Sequence, residues 1–398
     1  VTRPPEAGGG DALPGRAPVA LGQIARAWGW IGLTGFGGPP AHIALLRRRV
    51  VEREGWIDAH EFEDANAACG LLPGPASTQL AIFCAYRAGG IPGAIVGGLA
   101  FVVPAVVAIL LLSVVFLTRV PPLWVQGAGA GAGAAVAAVA VHAVRGLIGA
   151  SFERVRAHPA RIARWGFYLL VSVVAAALIG PYLVLVLLAC GLIELALQRH
   201  PAALGSIHWG TLGASASLAA RAGGFGSLAW TAFKVGALSF GGGFVIIPLM
   251  QGDAVHSYHW MTNAQFLNAV ALGQITPGPV VATVTAVGYA AHGLLGATLA
   301  SVVAFTPSFS FILLGAGRFQ RLRANANARS FLDGAGPAAI GAILGAAITL
   351  ARALTQTWQF GLLAAAAIAL LLARRGVVET LLGAAAIGVI AALAGAPV

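Results

Sequence analysis

Apolar segments follow one another almost without pause: 20–45, 67–86, 90–118, 123–150, 166–181 and 182–198, then 226–250, 265–290, 292–317, 332–353, 357–373 and 377–395. A helix that crosses a bilayer needs about 20 apolar residues, and within hydrocarbon its backbone amides must find partners inside a helix or a closed barrel. Segments of this length predict an all-α polytopic membrane protein. Only 9% of the residues are charged, against ~25% in soluble domains, so an ordinary water-soluble enzyme is excluded. The 54 glycines sit among Ala, Leu, Val and Ile with no period of three, which sets aside collagen and disorder.

The formal charge of +11 comes from arginines and a single lysine, Lys234, placed mostly in short clusters between apolar runs. That is the pattern of cytoplasmic loops rather than of a nucleic-acid patch. Cys69, Cys84 and Cys190 show no CxxC or Cys/His spacing, so neither a disulfide framework, a metal site nor a cofactor is expected. Residues 1–19 are Pro/Gly-rich, lack the apolar core of a signal peptide and read as a loose tail. The more polar stretch 199–225 reads as a linker between two units, 20–198 and 226–398.

These units are copies of each other. At an offset of 204, Phe36-Gly37-Gly38 falls on Phe240-Gly241-Gly242, Trp56 on Trp260 and Phe62 on Phe266. Pro73-Gly74-Pro75 falls on Pro277-Gly278-Pro279, Gly89 on Gly293, and Ala100-Phe101 on Ala304-Phe305. Duplicated units around a shared central site are a recurrent plan of secondary transporters. Arg47, Arg48, Arg49 and Arg53 follow the first apolar segment, whereas the matching stretch 251–263 holds Asp253 and no Arg or Lys. Equivalent loops then face opposite sides, and five crossings plus one re-entrant PGP segment per half would make the repeat inverted.

The breaks are where chemistry is expected. Pro73 and Pro75 lack amide donors, Gly74 admits conformations closed to other residues, and a fresh helix can begin after Pro75. The free amides of such a helix start form an anion site, and Ser77, Thr78 and Gln79 add side-chain donors. Gln274 and Thr276 precede the second break, Pro277-Gly278-Pro279, giving two facing half-sites. Gly37, Gly38, Pro39 and His42, with Gly241, Gly242 and Gly243 in the second copy, would let backbone approach an anion or another helix closely. Lys234 lies inside an apolar run, where charge is expensive and functional by default; its expected role is to attract the anion or relay charge. Hydrolase, zincin, dinucleotide and P-loop spacings do not occur in the sequence.

The segments from FGGPPAH at 36–42 through LLPGPASTQL at 71–80, with FKVGALSFGGGFVIIPL at 233–249 and GQITPGPV at 273–280, resemble the chromate ion transporter family in its long two-domain form. The likeness covers about residues 20 to 398. It implies export of chromate from the bacterial cytoplasm across the inner membrane, with sulfate as an isosteric competitor and oppositely oriented halves. The motif positions of the family fall here on Gly37, Gly38, Pro39, Pro73, Gly74, Pro75, Gln79, Lys234, Gly241, Gly242, Gly243, Pro277, Gly278 and Pro279. The first motif departs from the second, with Pro39-Pro40 opposite Gly243-Phe244, so the half-sites should not be interchangeable. Coupling to a proton or counter-anion, a homodimer, a sulfate transporter, an anion channel and a lipid-phosphate enzyme all stay open at this point.

Overall fold

The computed structural model describes residues 18–70, 72, 74–117, 121–178, 183–198, 224–239, 243–315 and 325–397, so most of the tail and of the linker lies outside the described residues. All regular structure among those described is helical, and each half runs through seven helices in the same order. The first half contains α1 (Leu21–Thr34), α2 (Pro39–Arg47), α3 (Ala59–Cys69), α4 (Ala76–Phe116), α5 (Leu123–Glu153), α6 (Pro159–Leu178) and α7 (Leu183–Gln198). The second contains α8 (Phe225–Ala237), α9 (Ile246–Gln251), α10 (Asn263–Ile275), α11 (Val284–Gly315) after a 3-10 turn at Val280–Thr283, α12 (Ala326–Arg352), α13 (Thr357–Ala367) and α14 (Val377–Leu393). The repeat extends to detail: α2 and α9 both widen into π turns, Arg48–Arg53 and Gly252–Ser257. Phe62 and Phe266, the matched aromatics, are both fully buried.

A continuous helix of 41 residues such as α4 would measure ~60 Å, twice the hydrocarbon thickness. The chain instead reverses at Gly89 (φ −144°, ψ 21°) and Gly90 (φ 65°, ψ −156°). Ala85 then lies against Gly93 and Gly97, and Ile82 against Gly98, so 76–88 and 91–116 pack antiparallel. In α11 the reversal falls at His292 (φ −143°, ψ 31°) and Gly293 (φ 62°, ψ −147°). Gly90, not Gly89, is thus the counterpart of Gly293, and from this turn onward the offset becomes 203. The same shift makes Phe101 equivalent to Ala304: Gly32 abuts the Phe101 carbonyl, and Gly236 the Ala304 carbonyl. The single unbroken offset expected from sequence therefore holds only up to the turn.

The stretch 20–45 is not one continuous helix. The chain doubles back after Thr34, and α1 residues Arg26, Trp30 and Leu33 line one cleft with Leu45, Arg48 and Arg53. The start of α1 is tied to the end of 76–88 by Val19 N–H donating to the Ala88 carbonyl (2.9 Å). Arg87, in that same last turn, pairs with Glu61 at the start of α3. Two hairpins, α1/α2 and α3/76–88, hence begin and end at one charged rim with their breaks at the far tips. Five helices are long and apolar enough to cross a membrane, and three more are shorter apolar helices. Four of these eight lie in each half among the described residues.

The long helices are exchanged between halves. α5 packs chiefly on α14, then on α12 and α13, and α12 chiefly on α6 and α7. Small residues make these contacts close: Gly127 meets Gly388 and Gly131 meets Ala384, an antiparallel pairing, while Gly341 meets Leu169 and Gly345 meets Val173, a parallel one. α6 turns back on α5, with Trp165 Nε1–H donating to Ser151 Oγ (3.0 Å). α12 therefore runs parallel to α6 and opposite to its own counterpart, α5.

Candidate functional site

The hairpin tips of the two halves meet. Gly74 (φ 118°) and Gly278 (φ 105°) take the left-handed conformation that favours glycine. Gly74 lies beside the Gly236 carbonyl and Ser308 Oγ of the second half; reciprocally, Gly278 lies beside the Gly32 carbonyl and Ala105 of the first. Gly278 N–H donates to the Gly35 carbonyl (3.0 Å). That carbonyl also faces His42 Nε2 (2.9 Å), and His42 Nδ1 lies 3.3 Å from Ser77 Oγ. With Nε2 donating to the carbonyl and the Ser77 hydroxyl donating to Nδ1, the ring is neutral and every group is satisfied. A hydrogen-bonded chain thereby joins the helix start after the first PGP break to the second PGP break through His42.

A cavity of 420 Å³ opens beside this junction. Gly37, Gly38 and Pro39 from the first tip, Gly70 and Ala76 around the first PGP break, and Gln274, Thr276 and Gly278 at the second line it. α5 closes the wall with His142. Gln274 is only 8% exposed and its Nε2 has no hydrogen-bond partner, an expensive state for a buried amide donor. His142 Nδ1 is likewise buried without a partner. Thr276 Oγ1 donates to the Leu272 carbonyl (2.8 Å), which leaves its oxygen only as an acceptor. The helix 76–88 starts after Pro75, its first N–H···O bonds to the Pro75 carbonyl coming from Thr78 and Gln79 (3.0 Å each); the amides of Ala76 and Ser77 precede them and belong to a free helix start. Among the described lining residues there is no Lys, Arg, Asp or Glu.

A second cavity of 190 Å³ shares Gly70, Ala76 and Leu147 with the first and reaches Ser151 and Arg154 at the end of α5. It also touches Gly74. The two together lead from the arginine-bearing ends of α5 and α6 to the hairpin tips.

Not every expected residue joins this site. Lys234 Nζ forms an ion pair with Asp253 Oδ2 at 2.6 Å, with side chains 12% and 4% exposed. Thr231 Oγ1 donates to the same oxygen (2.8 Å). The lysine ties α8 to the π turn after α9 and does not line the cavity, contrary to its expected contact with the anion; a buried cation is held by the nearest carboxylate. His42 sits behind the cavity wall as a link rather than in it. Thr78 is fully buried with an unpartnered hydroxyl, and the Gln79 side-chain nitrogen lies against Gly74. Pro277 and Pro279 flank Gly278 in the non-helical stretch before the 3-10 turn. Gly243 (φ 92°) abuts Val280 of that turn. Pro73, Gly241 and Gly242 lie outside the described residues. Sequence reasoning passed over His142, an isolated histidine with Gly345 at the equivalent position, and so without a repeat to mark it.

Residues 22–195 and 226–395 each match the family model described as chromate transporter. The chain is 32% identical over 402 residues to a chromate transport protein of Cupriavidus metallidurans, covering 98% of both chains. It is 29% identical to a chromate transport protein of Pseudomonas aeruginosa, covering 86% of this chain and 83% of that one. A probable chromate transport protein of Synechococcus elongatus is 28% identical over 86% of this chain and 91% of its own. No solved structure matches.

Proposed function

The chain belongs to the chromate transporter family, and from that premise we propose that it is a secondary transporter of the bacterial inner membrane that exports chromate from the cytoplasm. The observation that carries the binding site is the unpartnered Nε2 of Gln274, 8% exposed, in a cavity built where the helix breaks of both halves meet. A tetrahedral oxyanion there receives the Gln274 amide and the free amides at the start of helix 76–88, which replace its hydration. Sulfate has the same shape and charge, and competes for the same neutral donors.

The opposed directions of α5 and α12, equivalent helices of the two halves, support an inverted repeat. Arg47, Arg48, Arg49 and Arg53 lie on the rim where the first-half hairpins begin and end; Arg154, Arg161 and Arg164 lie at the α5/α6 turn, and Arg374 and Arg375 follow α13. An excess of arginine marks the cytoplasmic side, and the path past Arg154 opens the cavity to it. Loading from the cytoplasm follows. The inside-negative potential then contributes about 2.3 kcal/mol per charge per 100 mV to outward movement of an anion. Exposure alternates as the hairpin layer (α1–α4, α8–α11) moves against the long helices (α5–α7, α12–α14), because the cavity has one wall in each layer.

Labelled chromate flux into and out of vesicles holding the purified protein, under an imposed potential, tests this reading. Saturable flux, blocked by excess sulfate and lost in Gly74→Leu, is the expected result. Verified folded protein with no flux of either anion refutes it.

A further inference from the structure

His142 stands out once the electrostatics of the cavity are considered. The described lining of the 420 Å³ space holds no fixed cation, and His142 is its one residue whose side chain can accept a proton to become a cation. Neutral donors alone leave a dianion in a low-dielectric site without a counter-charge, and an uncompensated ion there costs far more than hydrogen bonds return. Lys234, the lysine inside an apolar run, is already neutralised by Asp253. Arg154, at the outer end of the adjoining cavity, does not touch this one.

The surroundings of His142 keep that role open to it. No hydrogen-bond partner within the protein fixes its tautomer, and its Nδ1 is buried and unsatisfied. Along α5 its nearest charged neighbour is Arg145, whose guanidinium donates to the Leu371 carbonyl (2.8 Å). Of the helices packed on α5, α10 and α13 carry no titratable side chain and α14 carries only Glu379, ion-paired with Arg375. α12 carries Arg329, Asp333 and Arg352, and the adjoining arm of α4 carries Cys84, Tyr86 and Arg87, the last paired with Glu61. Facing it across the cavity are Asn66 and Gln274, which do not titrate.

We propose that His142 is the proton-binding residue of the substrate site: each oxyanion dianion enters with one proton, taken from the aqueous phase by a ring nitrogen lone pair of His142, and the imidazolium so formed is the counter-charge of the bound anion. The bound unit carries one net negative charge in place of two, and departure of the anion returns the proton to water. No bond other than N–H forms or breaks. This inference rests on the oxyanion site described above and names the ion coupled to it.

Calorimetric titration of the purified protein with chromate at about pH 8, where the free anion carries no proton, tests it directly. Repeating the titration in buffers of different ionisation heat counts the protons taken up. One proton per bound chromate, with affinity falling about tenfold for each further pH unit, is the expected result. His142→Gln keeps a neutral polar side chain; it should bind more weakly, with no proton uptake and a flat pH profile. Uptake that persists unchanged in His142→Gln, or binding by the native protein with no uptake, overturns the assignment while leaving the oxyanion site standing. Folded protein that binds neither chromate nor sulfate at any pH overturns the site and this inference together.

Discussion

Replacement of Gly278 by alanine tests the meeting of the PGP breaks most sharply. Two costs combine there. A side chain at φ 105° is held in a region that costs ~1–3 kcal/mol. Its Cβ would also lie 2.6 Å from the Ala105 Cβ and 3.7 Å from the Ala105 Cα; neither atom can rotate away, and forced overpacking adds ~1–3 kcal/mol. The sum is ~2–6 kcal/mol, about 4–12 °C at the ~2 °C per kcal/mol suited to larger proteins. Gly293→Ala supplies the control, since its φ of 62° imposes comparable strain while nothing lies within 4 Å of the added methyl. The melting temperature in detergent, followed by tryptophan fluorescence, should fall about twice as far in Gly278→Ala as in Gly293→Ala. Ala105→Gly removes the opposing methyl, so Gly278→Ala should cost ~1–3 kcal/mol less in that background than in the native one. Equal melting points for the two alanine variants, or no relief from Ala105→Gly, would refute the packing of the second break against the first half.

Gln274→Ala should weaken chromate binding by roughly 10- to 100-fold, the worth of one hydrogen bond to a charged group, and Gln274→Glu should abolish it; competition binding on folded protein decides. Lys234→Met leaves Asp253 buried and unpaired and should cost ~3–5 kcal/mol, while the joint Lys234→Met/Asp253→Leu change should recover most of it; a melting series checks this, and failure of the double variant to recover would show a role for Lys234 beyond the pair. Single cysteines at Arg53 and Arg352, in a protein freed of its other thiols, should react with an impermeant maleimide from opposite faces of intact cells, and labelling from one face would exclude the inverted arrangement. A disulfide between cysteines at Gly133 and Leu267, whose Cβ positions lie 3.1 Å apart, should stop transport yet spare binding, whereas one joining Thr285 and Ser301 within the hairpin layer should spare both; transport through the Gly133–Leu267 bridge would place the moving seam elsewhere.

Periodic features were legible in the sequence because duplication prints them twice. The all-helical class, the two halves and the PGP breaks all emerged from repeated FGG, Trp, Phe and PGP. The hairpin within 20–45 was not, because hydropathy measures apolar length and not direction: α1 and α2 read as one segment, although Pro39-Pro40 after Gly37-Gly38 starts a helix that folds back on the first. The 203 offset was hidden as well. Gly89-Gly90 offers two glycines for one reversal, and only the backbone angles show that Gly90 matches Gly293. Lys234 misled for a different reason. Its partner Asp253 is 19 residues away across a hairpin not visible in a linear reading, so a satisfied ion pair looked like a free charge. His142 carried no signal, since neither a repeat nor a motif includes it.

Exchange of helices between the halves bears directly on how exposure can alternate. A rocking of one sequence half against the other would have to separate α5 from α14 and α12 from α6, which are among the closest contacts in the molecule: Gly131 meets the Ala384 carbonyl, and Gly341 the Leu169 carbonyl. Such backbone-to-backbone packing over several turns loses dispersion contacts all at once when opened. The boundary between the hairpin layer and the long helices is less tightly held. At the cavity it is open space rather than contact, with Gln274 on one wall and His142 on the other. A shift of the hairpin layer along this seam changes the distance between the donor proposed to hold the anion and the group proposed to neutralise it, and leaves the intertwined helices intact. Binding strength and access to the two faces are then altered by one displacement, which is what a transporter needs if it is to bind on one side and release on the other.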